Sequence, residues 1–278
     1  MSDKLRVLIV TQEMEPYTEL NDIANIARKL PQHIQEKGME IRVLMPRYGT
    51  INERRHRLHE VVRLSGMNII VDDDDYPLII KVASLPRARI QVYFLDNDEF
   101  FKRKTIFSDK DGNVHDDNAE RSIFFCKGVI ETVKKFGWPP NIIHCHGWMT
   151  ALLPLYVKQA YATEPLFRDS KVIYSLYHSD IENNFDEDFA EKAAINDLEE
   201  DDLNVYLAGD QVNLHQGACT VSDAIIIGSE SLDPDVEALV NALDKPVLPH
   251  QAEDAFLSAY VDFYHQLTQE EEVEEVEK

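Results

Sequence analysis

The chain has 278 residues, with 28 basic and 51 acidic side chains and a formal net charge of −23. At 44% apolar and 9% aromatic residues it holds enough material for a packed core, which excludes wholesale disorder. A surface this acidic repels phosphate backbones and anionic headgroups, so neither nucleic acid nor a membrane is expected as a partner.

The opening MSDKLRVLIV passes from a short charged start into a strand-like run with no small-residue cleavage site, and no later stretch reaches the length of a membrane span. Cytoplasmic residence is the expectation. Apolar, β-branched runs at 5–10, 41–45, 142–144, 172–176 and 224–227 alternate with helix-period stretches at 23–37, 118–136, 149–161, 203–218 and 233–243. That alternation predicts an α/β fold: a doubly wound, mostly parallel, Rossmann-like sheet with helices on both faces. Between residues 57 and 95, shorter segments broken by Gly66, the acids at 72–75 and Pro86 suit hairpins, and so predict an antiparallel β-hairpin extension. Gly38 and Gly137 follow two of the helices where a left-handed cap is needed.

The acid-rich stretch 186–202 reads as a solvated loop. Residues 1–243 form the main domain, and 244–268 comprise a linker, DKPVLPH, followed by an amphipathic helix in AEDAFLSAYVDFYHQL. Residues 269–278, nearly all Glu, read as a disordered acidic tail. Cys126, Cys145 and Cys219 are odd in number and widely spaced, which suits reduced core thiols rather than a disulfide framework.

In an open α/β sheet, ligands bind outside the carboxyl ends of the strands. The loop after the first strand, TQEMEPYTELNDIANIARKLP, contains no glycine and is ill suited to let backbone amides cradle a pyrophosphate. After the strand at 142–144 come His144, Cys145, His146, Gly147 and Trp148, with both histidines on one side of the strand. A metal would need further ligands that no spacing supplies, so no metal and no cofactor is expected. His146 is placed to hydrogen-bond a polar ligand, and Trp148 offers a flat apolar face to a sugar ring. In HDDNAER, at 115–121, Asp117 or Asn118 can cap the following helix; the same side chains grip sugar hydroxyls, and both roles stand open.

Taken in order, RVLIVTQEMEP, EIRVLMPRYGTI, DNAERSIFF, PNIIHCHGWMTALLPLYVK and VNLHQGACTVSDAIIIGSES resemble the amino-terminal domain of the glycogen and starch synthases. These are retaining glucosyltransferases of GT-B architecture that use a nucleotide-activated glucose, and the resemblance extends over most of residues 4–242. It implies an α-glucan or sugar ligand and carries a substrate-binding role to Asp117, Asn118, Trp148 and His178. His146 matches the histidine that touches the transferred sugar. The family's Lys-x-Gly-Gly-Leu donor loop is matched here by Glu19, Leu20, Asn21, Asp22 and Ile23, so an anion replaces the cation and both glycines are gone.

His-Asp-Trp becomes His146, Gly147 and Trp148, while Ile-His-Asn becomes Leu176, Tyr177 and His178. The resemblance ends near residue 245, so the expectation is a lone half without the second, nucleotide-binding domain, whose crossover helix has stayed docked. Three functions follow: a glucan- or partner-binding protein impaired in catalysis, a glucosyltransferase whose other half another chain supplies, or an acidic interaction scaffold. Beside an α-glucan or sugar ligand, a partner protein or an oligomer is a candidate partner.

Overall fold

Aliphatic and β-branched runs become strands in the computed structural model, which describes residues 4–178, 185, 188–196, 198–208 and 211–276. The strands are β1 (Arg6–Thr11), β2 (Glu40–Pro46), β3 (His59–Glu60), β4 (Met67–Val71), β5 (Asp74–Ser84), β6 (Gln91–Asp96), β7 (Ile142–His146), β8 (Lys171–Leu176), β9 (Leu207–Ala208), β10 (Gln211–Val212), β11 (Ala224–Ile227) and β12 (Val247–Leu248). The helices are α1 (Asp22–Glu36), α2 (Glu53–His56), α3 (Asp98–Phe101), α4 (Asn118–Phe136), α5 (Leu153–Leu155), α6 (Phe189–Ala193), α7 (Leu214–Val221), α8 (Pro234–Ala242) and α9 (Phe256–Val276).

The main sheet runs β12-β11-β8-β7-β1-β2-β6-β5-β3, with β4 paired to β5. Pairing is parallel from β12 through β6 and antiparallel among β3, β4, β5 and β6, so the hairpin extension is added to a parallel core as expected. From β1 the chain adds β2 on one side and later β7 on the other. Their shared boundary is therefore a topological switch point, and the loops after β1 and β7 open a crevice there.

Helix α1 forms because its termini and its stripe agree. Asn21 Oδ1 accepts the Ala24 N–H at 2.8 Å, Asp22 sits in the first turn, and Ile23, Ile26, Ala27, Leu30 and Ile34 recur on one buried face. Helix α4 packs under the same sheet and ends on Gly137 in the left-handed region. At the other end of the chain, α9 buries Phe256, Tyr260, Val261, Phe263, Tyr264 and Leu267. It rests on α1, where Lys29 and Asn25 both reach Glu253 just ahead of it. No helix among the described residues is long and apolar enough to cross a membrane.

Several segments differ from expectation. The stretch read as a linker contains β12, whose Val247 and Leu248 pair with Ile225 and Ile226 at the sheet edge. The helix expected at 149–161 is broken into a 3-10 turn (Trp148–Thr150), α5 and a π turn (Tyr156–Ala160). Pro154, which has no N–H to donate, sits in the middle of that series. The stretch 203–218 divides into the end of a 3-10 helix (Glu200–Tyr206), the antiparallel pair β9 and β10, and the start of α7, with positions 209 and 210 outside the described residues. The acid-rich stretch read as a loop carries α6 and that 3-10 helix, while its residues 186, 187 and 197 lie outside the described residues. The helical backbone of α9 continues to Val276, into residues read as the tail; positions 277 and 278 lie outside the described residues.

Candidate functional site

The crevice at the switch point is a cleft of about 390 Å³ lined by residues that follow β1, β7 and β8 and by the start of α1. Gln12 and Glu13 come from the first, Gly147 and Trp148 from the second, Tyr177 and His178 from the third, and Asn21, Asp22 and Ile23 from the helix. Phe107 and His215 complete the wall. A neighbouring hollow of about 770 Å³ shares Glu13, Asn21 and Phe107 and adds Glu19 and Lys104.

Glu13 is the acidic floor of the cleft. It is 8% exposed, accepts hydrogen bonds from Gln12 Nε2 at 3.1 Å and Asn21 Nδ2 at 2.9 Å, and forms no ion pair among the described residues. Burial pushes its carboxyl pKa up against the two amide bonds, with Glu19 adding a smaller push in the same direction. Asp22 stands beside it and accepts from Ser229 Oγ at 2.9 Å. The amino end of α1, which would otherwise attract an anion, is thus already occupied by its own Asn21 cap and Asp22. No Lys or Arg is among the described residues that line this cleft.

The histidines of β7 stack with ring centroids 3.8 Å apart, both fully buried, as their alternation along the strand requires. His144 lies between Tyr264 Oη and Ser175 Oγ, each at 2.6 Å. His146 Nδ1 is hydrogen-bonded to Tyr177 Oη at 2.7 Å, and its Nε2 has no partner among the described residues. Burial holds both rings neutral, His146 down to about 3 and His144 well below the ordinary range, where His146 adds to the effect. Burial likewise lowers His215, which meets Tyr174 Oη at 3.0 Å, to about 4.

Gly147 carries a φ of +86°, and a Cβ there would fall 2.2 Å from Gln12 Oε1. Trp148 packs edge-on to Phe107 at 5.2 Å, and its indole Nε1 finds no acceptor among the described residues. No group of three or more His, Cys, Asp or Glu among the described residues is placed to hold a metal.

A profile of the starch synthase catalytic domain matches residues 6–239. The chain belongs to that family. The glycogen synthase of Chlorobium limicola is 40% identical over 217 residues, covering 77% of this chain and 43% of that protein. The glycogen synthase of Chlorobaculum tepidum is 42% identical over 174 residues, covering 62% of this chain and 36% of that protein. The chain therefore spans about two fifths of the length of these curated relatives. In structure it is similar to the catalytic domain of starch synthase IV from Arabidopsis thaliana, with a TM-score of 0.65 at 20% identity over 81% of this chain and 45% of that one. The sheet is that of a GT-B half.

Within this member of the starch synthase family, the residues singled out by sequence separate into two groups. Trp148, His178, Asn21 and Asp22 line the cleft, and Glu19 lines the adjoining hollow. His178 also lies 3.6 Å from an Asp233 carboxylate oxygen. His146 sits behind Tyr177 and is not among the lining residues. Asp117 and Asn118 hold the loop before α4 instead of lining the cleft. The Asp117 carboxylate accepts two bonds from Arg103, at 2.8 and 2.5 Å, and makes no cap bond. Asn118 is buried, donates to the Phe107 carbonyl and accepts from Arg121. Sequence reasoning passed over Gln12, Glu13 and His215. For Glu13 the available signal was an acid placed directly after the first buried strand.

Proposed function

We propose that this chain is a glycogen- or starch-synthase-like protein of α-glucan metabolism whose cleft takes a neutral glucan and does not, unaided, transfer glucose from a sugar nucleotide. The observation that carries the reading is the buried Glu13 carboxylate, with Asp22 beside it and no cation on the described cleft wall. Each negative charge of a diphosphate brought to about 4 Å from such a carboxylate meets a repulsion of about 4 kcal/mol at the effective dielectric of a protein surface. A neutral glucan meets no such barrier, and it can present hydroxyls to Glu13, Asn21 and Asp22 while lying against Trp148. Three buried free cysteines fit a reducing cytoplasm as the place of action.

Titration calorimetry with maltoheptaose and, separately, with ADP-glucose tests this. Saturable heat is expected from maltoheptaose and none from ADP-glucose at millimolar concentration. Tighter binding of ADP-glucose, or glucan elongation by the purified chain alone, would overturn the reading.

A further inference from the structure

His146 is flanked by two residues that reach the cleft, Gly147 and Tyr177, yet is itself fully buried and absent from the wall. Two side chains of the cleft wall pack against it and its neighbour Gly147. Tyr177 meets it end-on, its Oη on His146 Nδ1 at 2.7 Å and the two ring centroids 6.1 Å apart. Gln12 lies across Gly147, its Oε1 accepting from Met149 N at 3.3 Å and its Nε2 donating to Glu13.

Each filler depends on a missing Cβ. An added Cβ at Gly147 would come 2.2 Å from Gln12 Oε1, and one at Gly228 would come 2.3 Å from Tyr177 Cε1. Real Cβ atoms do not approach heavy atoms so closely. The residues therefore pair as Gln12 with Gly147 and Tyr177 with Gly228. What they leave behind is His146 Nε2, a buried ring nitrogen with no partner among the described residues, whose desolvation is unrewarded in this state.

We infer that Tyr177 and Gln12 plug a subsite beside His146, and that Tyr177 determines which part of the cleft a glucan can enter. The inference rests on the cleft being a sugar site, and it makes Tyr177 a specificity-determining residue. With the plug in place a glucan runs past His146 along Trp148, Asn21 and Asp22; with it removed, a sugar hydroxyl can reach the imidazole.

The test follows the His146 ring by nuclear magnetic resonance in the full chain, in Tyr177→Ala and in Tyr177→His. In the unaltered chain, maltose is expected to leave the His146 signals unmoved. In either variant the signals are expected to shift saturably with maltose, and the ring to titrate nearer its ordinary range. Gly228→Ala supplies a packing readout: it should shift the unfolding equilibrium of the unaltered chain by about tenfold or more, and that of the Tyr177→Ala chain hardly at all.

Maltose-induced shifts of His146 in the unaltered chain would overturn the inference. So would their absence in a folded variant, or failure of both variants to fold, which would make Tyr177 a plain core residue. Silence of the unaltered chain toward maltoheptaose would instead refute the sugar-site reading, whereas the variants' response to maltose reports on the plug itself.

Discussion

Acid should unfold this protein through His144, His146 and the half-buried His215 before its carboxylates titrate. In the folded chain His146 is lowered to about 3 and His215 to about 4, with His144 also well below its ordinary range. A base whose pKa is depressed by folding contributes stability that is fully present above its unfolded value, near 6.5, and is lost as pH falls below it, because only the unfolded chain takes up the proton. Between pH 7 and pH 5 this removes about 2 kcal/mol for His146 and somewhat less for His215, which faces the water of the cleft. His144 acts in the same direction. Glu13 opposes them, since its raised pKa favours the folded state as pH falls. The net loss is a large share of the about 5–15 kcal/mol that holds a domain together.

Urea unfolding at pH 7, 6 and 5 measures the loss, and His215→Asn isolates one part of it, because its stability should fall by up to about 2 kcal/mol less over the same range. Equal stability of the unaltered chain at pH 7 and 5, with a parallel His215→Asn profile, would refute the reasoning. A His146 ring titrating near 6.5 would do the same.

Arg121 is fully buried and donates to the Phe100 and Ile106 carbonyls and to Asn118 Oδ1, so Arg121→Met should destabilise by about 3–5 kcal/mol in chemical denaturation, and Lys should fail to restore the planar fork. Tyr264→Phe takes the hydroxyl from His144 Nδ1 and should lower unfolding free energy by about 1–3 kcal/mol. Lys245 Nζ donates to the carbonyls of Cys219, Thr220 and Ser222 at the carboxyl end of α7, and Lys245→Ala should cost about 1–2 kcal/mol, with faster amide exchange confined to that turn. Ending the chain at Leu243 strips six buried side chains of α9 from the core at about 1.5 kcal/mol or more each; thermal melting should then show a loss comparable to the whole stability, and an unchanged melting temperature would contradict the docking of α9.

The parallel core was legible because strands such as RVLIV and AIII are apolar on both faces, and the α1 and α4 stripes repeat at helical spacing. What escaped was set by tertiary pairing. Val247 and Leu248 form a strand only because β11 presents its edge to them, and two residues between prolines carry no period of their own. The same limit governs the site. Trp148 and Asn21 stood out by residue type and by position after a strand, and they do line the cleft. Asp117 and Asn118 have equally suitable chemistry, but Arg103, Phe107 and Arg121 claim their polar atoms, and those partners are 3 to 14 residues away along the chain. Tyr177 reads in sequence as a replacement within a motif; its role as a cover for His146 depends on Gly228, 51 positions later.

A binding site that merely erodes leaves voids and unpaired polar groups, each costing on the order of 1 kcal/mol or more. Around His146 the space is filled: Gln12 occupies the room over Gly147, Tyr177 the room over Gly228, and His144 has a partner on each nitrogen. Among the described residues, His146 Nε2 and Trp148 Nε1, the latter on a residue of the cleft wall, are buried polar atoms left without partners. A floor built on a buried carboxyl group, with no cation on the described cleft wall, is a coherent environment for neutral hydroxyls and a poor one for phosphate. On the function proposed above, a few side chains at one switch point set this chain apart from a donor-binding glucosyltransferase, while the sheet beneath them has the fold of the starch synthase catalytic domain.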